Sequence, residues 1–187
     1  MQEKENITYI LDETIKALKK EDVLRLRDLS NRTIHSSSIY SDGDNITVAV
    51  IVYALSKITE RQDYKLYPGW KEFIKSTFSC LDSSLLALKK DNIEAFRDSI
   101  SCIRKNINKI SGKLKGYIQD VFRRAEVNKA SRMYEHGISM EQTANLLGIS
   151  LWELQEYAGN TGISDVDLSI TMDERKRIKQ ALEMFEK

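Results

Sequence analysis

Apolar positions recur every three or four residues over most of the chain, and this spacing predicts helices at roughly 5–19, 22–38, 44–61, 68–89 and 92–110. One stretch tests the rule. NITVAVIVYALSKI (45–58) is rich in β-branched residues and suits a strand by propensity alone. Its length and its polar Ser-Lys-Ile-Thr-Glu continuation favour a helix, apolar on most sides and therefore central. Asp42-Gly43-Asp44-Asn45 reads as a turn that ends in a capping residue, and Pro68 suits the first turn of the fourth helix. Ser111-Gly112 is a helix stop, which places a boundary near 112. Beyond it a helix is expected from about 113 to 136, with Leu114, Ile118, Val121 and Ala125 on one face. Two short helices follow in ISMEQTANLLGISLWEL (138–154). VDLSI (166–170) then alternates like a short strand, and Thr171 and Glu174 form a capping box for a last helix through Phe185, whose apolar stripe is Ile178, Leu182 and Phe185.

The first half contains an internal echo. ALKKEDVLRLRD (17–28) and ALKKDNIEAFRD (87–98) align without a gap at an offset of 70. In each, a helix ends in a Lys-Lys pair, where cations favour its negative terminus, and Asp22 or Asn92 starts the next. Each copy reads as a helical hairpin. Two copies suit a duplicated bundle better than a solenoid. The expectation is an all-α protein: a helical bundle over 1–111, a basic helix with two short helices over 112–163, and the strand-like segment and terminal helix over 164–187.

Composition supports the all-α class, because a single proline and eight glycines leave few breakers for a β-rich fold. The longest apolar run, VAVIVYAL (48–55), is far shorter than the roughly 20 residues that span a bilayer. The start MQEKENITYI lacks the basic onset and apolar middle of a signal peptide, so the expected location is the cytoplasm. In that reducing setting Cys80 and Cys102, with no CxxC spacing and no histidine nearby, are expected to be small buried hydrophobes and not metal ligands. No cofactor is expected.

The net charge of +1 conceals a division: residues 1–103 sum to −1, residues 104–132 to +7 and residues 133–187 to −5. A basic segment thus leads into 138–163, where Ser139 with Gln142 and Ser150 with Glu153 form two capping boxes. Gly148 sits where a tight turn needs positive φ, Ala144 is small where two helices would cross, and Leu147, Ile149, Leu154 and Tyr157 supply a core. With these features the segment resembles the helix-turn-helix superfamily, and it is similar in particular to the small helix-turn-helix antitoxins of bacteria and archaea. The resemblance covers about 30 of the 187 residues.

It implies that the second short helix enters a DNA groove, with Ser150, Leu151, Trp152 and Gln155 facing the bases. Leu151 stands where the family usually places a basic residue, and leucine and tryptophan offer bases little beyond contact with a thymine methyl. Phosphate contacts are therefore expected from the preceding helix, through Lys113, Lys115, Arg123, Arg124, Lys129 and Arg132. The leading expectation is a non-enzymatic DNA-associated regulator whose first domain dimerises or binds a partner protein. The alternatives are an adaptor or antitoxin-like protein that docks through an exposed Leu151 and Trp152, and a Trp152 packed inward against the basic helix or tail. A third class is a helical ribonuclease of the HEPN type built around Arg27, Arg32 and His35, although Arg27 lies seven intervening residues from His35 and Arg32 two, outside the Arg-x4-6-His spacing. His136 is expected at a helix end. No phosphate-loop, HExxH or GxSxG pattern occurs.

Overall fold

The computed structural model describes residues 3–40, 43–110, 112–135, 138–147 and 149–161. The strand-like segment at 166–170, the Thr171 capping box and the terminal helix lie outside them, as do His136, Gly148 and the side chains of His35, Glu153 and Tyr157. The chain is all-α: α1 (Lys4–Lys19), α2 (Val23–Tyr40), α3 (Gly43–Glu60), α4 (Trp70–Lys89), α5 (Ile93–Ile107), α6 (Gly112–Glu135), α7 (Met140–Leu147) and α8 (Leu151–Thr161). A 3-10 turn, Gln62–Leu66, joins α3 to α4. Among the described residues no helix is long and apolar enough to cross a membrane, and no group of three or more His, Cys, Asp or Glu side chains is placed to hold a metal ion.

The echoed segments build the same turn twice. After α1, the Asp22 amide donates to the Ala17 carbonyl at 2.9 Å and the Glu21 amide to that of Leu18 at 3.1 Å; after α4, Asn92 donates to Ala87 at 2.9 Å and Asp91 to Leu88 at 3.0 Å. This paired closure needs a left-handed residue, and Glu21 (φ 54°) and Asp91 (φ 60°) fill that position. The next residue caps the following helix: Asp22 Oδ1 accepts from the Arg25 amide and Asn92 Oδ1 from the Ala95 amide, each at 2.9 Å. One residue pair ends a helix and the next begins its partner.

The duplication extends beyond the hairpins. At the same offset of 70, buried Val48, Ile51, Val52 and Leu55 of α3 correspond to buried Ile118, Val121, Phe122 and Ala125 of α6. Helix α6 is therefore the third helix of the second unit and a member of the bundle. Leu114, Ile118, Val121, Phe122 and Ala125 join the same apolar cluster as α1–α5, so residue 112 marks the start of a helix and not the edge of a separate core. Helix α3 lies at the centre, as its apolar sequence requires, with Ile46, Val50, Ile51, Leu55 and Ile58 all buried.

Ion pairs at opposite ends set α1 antiparallel to α4: Lys4 meets Asp91 at 2.7 Å and Lys65 meets Glu21 at 2.6 Å. Helix α4 starts at Trp70, two residues later than Pro68 suggested, because Gly69 takes a left-handed φ of +86° that no α-helical residue can adopt. Its helical bonding begins only where the Phe73 amide reaches the Gly69 carbonyl. Cys80 and Cys102 also depart from expectation: their sulfurs are joined as a disulfide between α4 and α5.

Candidate nucleic-acid interface

The C-terminal part of α6 carries the two short helices. The Ile138 amide closes the end of α6 on the Met133 carbonyl at 3.2 Å, and the Ile149 amide closes α7 on Ala144 at 3.1 Å. Both amides reach back five residues, as in the bundle's turns, but here an isoleucine follows and folds back onto the core. Ser139 Oγ accepts from the Gln142 amide at 3.2 Å, so the first expected cap is present. Ala130, Ala144 and Leu154 form a small core where α6, α7 and α8 meet, with Met140, Leu147 and Ile149 packed around it. Leu147 also touches the main cluster, and so the two cores adjoin.

On α8 the expected contact residues stand outward. Ser150 and Gln155 are exposed, Leu151 is 38% exposed and Trp152 is 81% exposed. Trp152 is therefore not packed inward against α6, and the tail, its other expected partner, lies outside the described residues. The basic residues of α6, by contrast, divide. Arg123 and Arg124 are neighbours in sequence, yet consecutive helical side chains point about 100° apart. Arg123 lines an open groove of about 370 Å³ together with Arg104, Asn108, Gln119, Glu126 and Ile149. Ile149 lies immediately before Ser150, so this groove runs from the end of α5 to the start of α8. Arg124 lines a different groove, between α3 and α6, and its Nε meets Asp120 Oδ2 at 2.9 Å.

Lys129 is not on the basic surface at all. It is 1% exposed, with its Nζ donating to Asn31 Oδ1 at 3.0 Å and lying 4.3 Å from the centre of the Tyr53 ring. Burial, reinforced by the nearby Arg132 charge, pushes its pKa down to about 8. The reason for its position is periodic: Lys129 follows Ala125 by one turn on the apolar face of α6. Lys113 and Lys115 occupy the other end of α6, about 15 Å of helix from Arg123, and Lys115 Nζ reaches the Asn108 carbonyl at 3.5 Å. Arg132 is exposed near the α6 C-terminus.

The structure thus places Arg123 in one groove with Ile149, the residue before Ser150, leaves Ser150, Leu151, Trp152 and Gln155 exposed at and after that point, and puts Arg124 in a different groove, Lys129 in the interior and Lys113 and Lys115 at the far end of α6. It adds Arg104, Asn108 and Gln119, which lie on or just before the basic helix but whose shared groove is visible only in three dimensions. Arg104 is held by Glu126 at 2.6 Å, an ion pair that tempers the groove's positive charge.

The arginines of the possible ribonuclease site are engaged elsewhere. Arg27 pairs with Glu60 at 2.6 Å, and the Arg32 guanidinium lies 5.3 Å from the Tyr9 ring centre. No protein-family model, curated protein or solved structure matches the chain.

Proposed function

We propose that α6, α7 and α8 form a helix-turn-helix unit that docks on duplex DNA, and that the protein acts as a non-enzymatic regulator with weak intrinsic sequence preference. The observation that carries this reading is the groove shared by Arg123 and Ile149. It brings a cationic side chain beside the start of α8, where a groove-reading helix makes its base contacts. Arg123 would hold a phosphate while Ser150 and Gln155 meet base edges and Leu151 meets a thymine methyl.

Fluorescence-anisotropy titration of the full chain against a labelled duplex, at a low and a physiological salt concentration, tests the reading. Binding should weaken steeply with salt, because phosphate contacts release counterions. Absence of binding at the lower salt concentration would overturn it.

A second reading rests on Trp152. An 81% exposed tryptophan beside a partly exposed leucine makes an apolar patch suited to a second copy of the chain, and helix-turn-helix units commonly pair on two half-sites. Sedimentation equilibrium should then report a dimer that Trp152→Ala dissociates; a wild-type monomer rejects this second reading.

A further inference from the structure

We propose that the groove between α3 and α6 is a binding site for a small organic anion, a carboxylate or phosphate attached to a compact apolar body. Its volume of about 550 Å³ falls within the range of small-molecule sites. Val121 and Ala125 give it an apolar wall and Tyr53 an aromatic one, while Lys57, Arg61 and Arg124 place cationic heads around it.

Charge selects the ligand class. Two carboxylates, Glu60 and Asp120, also line the groove, but both are already engaged. Glu60 receives Arg27 at 2.6 Å and Lys57 at 3.3 Å, and these cations, Arg27 first, hold its carboxyl below the usual range. Asp120 receives Arg124. Arg61 has an aromatic neighbour, its guanidinium lying 5.8 Å from the Tyr64 ring centre, and meets no carboxylate among the described residues. Behind the groove, the Lys129 ammonium lies against the same Tyr53 ring with an amide oxygen, not a carboxylate, as its hydrogen-bond partner. Five cationic side chains therefore surround two carboxylates. A carboxylate or phosphate reaching Arg61 and Arg124 supplies the missing negative charge, and guanidinium groups suit both anions by their paired donors. The apolar body would rest on Val121 and Ala125.

This site is independent of DNA docking, and its test contains no nucleic acid. Benzoate and phenyl phosphate are the probes, with neutral benzamide as control, titrated calorimetrically into the full chain at low ionic strength. At least one anion should bind saturably with 1:1 stoichiometry, at least tenfold more tightly than benzamide. Arg61 and Arg124 are both exposed, so their replacement leaves the core intact. The double variant Arg61→Gln/Arg124→Gln should lose at least tenfold in affinity, and Arg61→Lys/Arg124→Lys should recover part of it. No saturable binding of either anion up to about 10 mM, where even a millimolar site would be filled, overturns the proposal. So does equal affinity for benzamide, or an unchanged affinity in the glutamine variant.

Discussion

The Lys129 ammonium nitrogen lies 4.3 Å from the centre of the Tyr53 ring, inside the packing of α6 against α2 and α3. An ammonium removed from water and given one amide oxygen is poorly compensated, and its pKa falls from 10.5 to about 8. Between those two values the unfolded chain holds a proton that the folded chain has released, so stability rises with pH across this window. Below pH 8 the lysine is charged in both states and the full penalty applies. A shift of this size corresponds to about 3 kcal/mol. Lys129→Met should therefore stabilise the protein at pH 7, and its advantage over wild type should shrink as the pH approaches 10. Urea denaturation of both proteins at several pH values measures this; a pH-independent difference would mean that Lys129 carries no such penalty.

The duplicated turns make a second prediction. Glu21 and Asp91 hold left-handed backbone, which disfavours a side chain by about 1 kcal/mol relative to glycine. Their ion pairs with Lys65 and Lys4 are partly exposed and worth about 0–1 kcal/mol. Glu21→Gly and Asp91→Gly should each be neutral to stabilising, by up to about 1 kcal/mol. Asn92→Ala removes the cap on the Ala95 amide and should destabilise by about 1 kcal/mol. Thermal unfolding of the three variants should thus move in opposite directions, and a loss of stability in both glycine variants would contradict the assigned turn.

The disulfide between Cys80 and Cys102 makes a third. It closes a loop with a sequence separation of 22, which restricts the unfolded chain by roughly 3 kcal/mol. Mass spectrometry after alkylation without reductant should find no labelled thiol, and reduction should lower the urea midpoint. Two labelled thiols in the untreated protein would show that the bridge does not form.

Much of the fold was legible because it rests on period and capping. The β-branched segment 45–58 reads as a helix by its length, and it is one, buried on nearly every side. The hairpin echo reads from identity at an offset of 70, and both turns close alike. The correspondence between α3 and α6 does not show in the sequence, because the two helices keep the same buried positions with different residues: Leu55 corresponds to Ala125 across the offset, and Thr59 to Lys129. For the same reason α6 was expected to leave the bundle that it completes.

At the candidate site, charge alone misled. By type alone Lys129 belongs with the phosphate-facing cations, although the stripe Leu114, Ile118, Val121, Ala125 points directly to it one turn later. Arg123 and Arg124 are alike in type and adjacent in sequence, although the helix turns them into different grooves. The partnership of Arg123 with Ile149 depends on how α7 and α8 seat on Ala130, and no local pattern encodes that contact.

That separation supplies the most direct test of the proposed function. The salt dependence of duplex binding should be compared for wild type, Arg123→Ala and Arg124→Ala, since each phosphate contact contributes about 0.9 to the slope of log affinity against log salt. Arg123→Ala should weaken binding at low salt and reduce the slope by about one, while Arg124→Ala should leave both unchanged. Equal losses in the two variants, or a loss confined to Arg124→Ala, would contradict the placement of the DNA surface on the Arg123 side of α6.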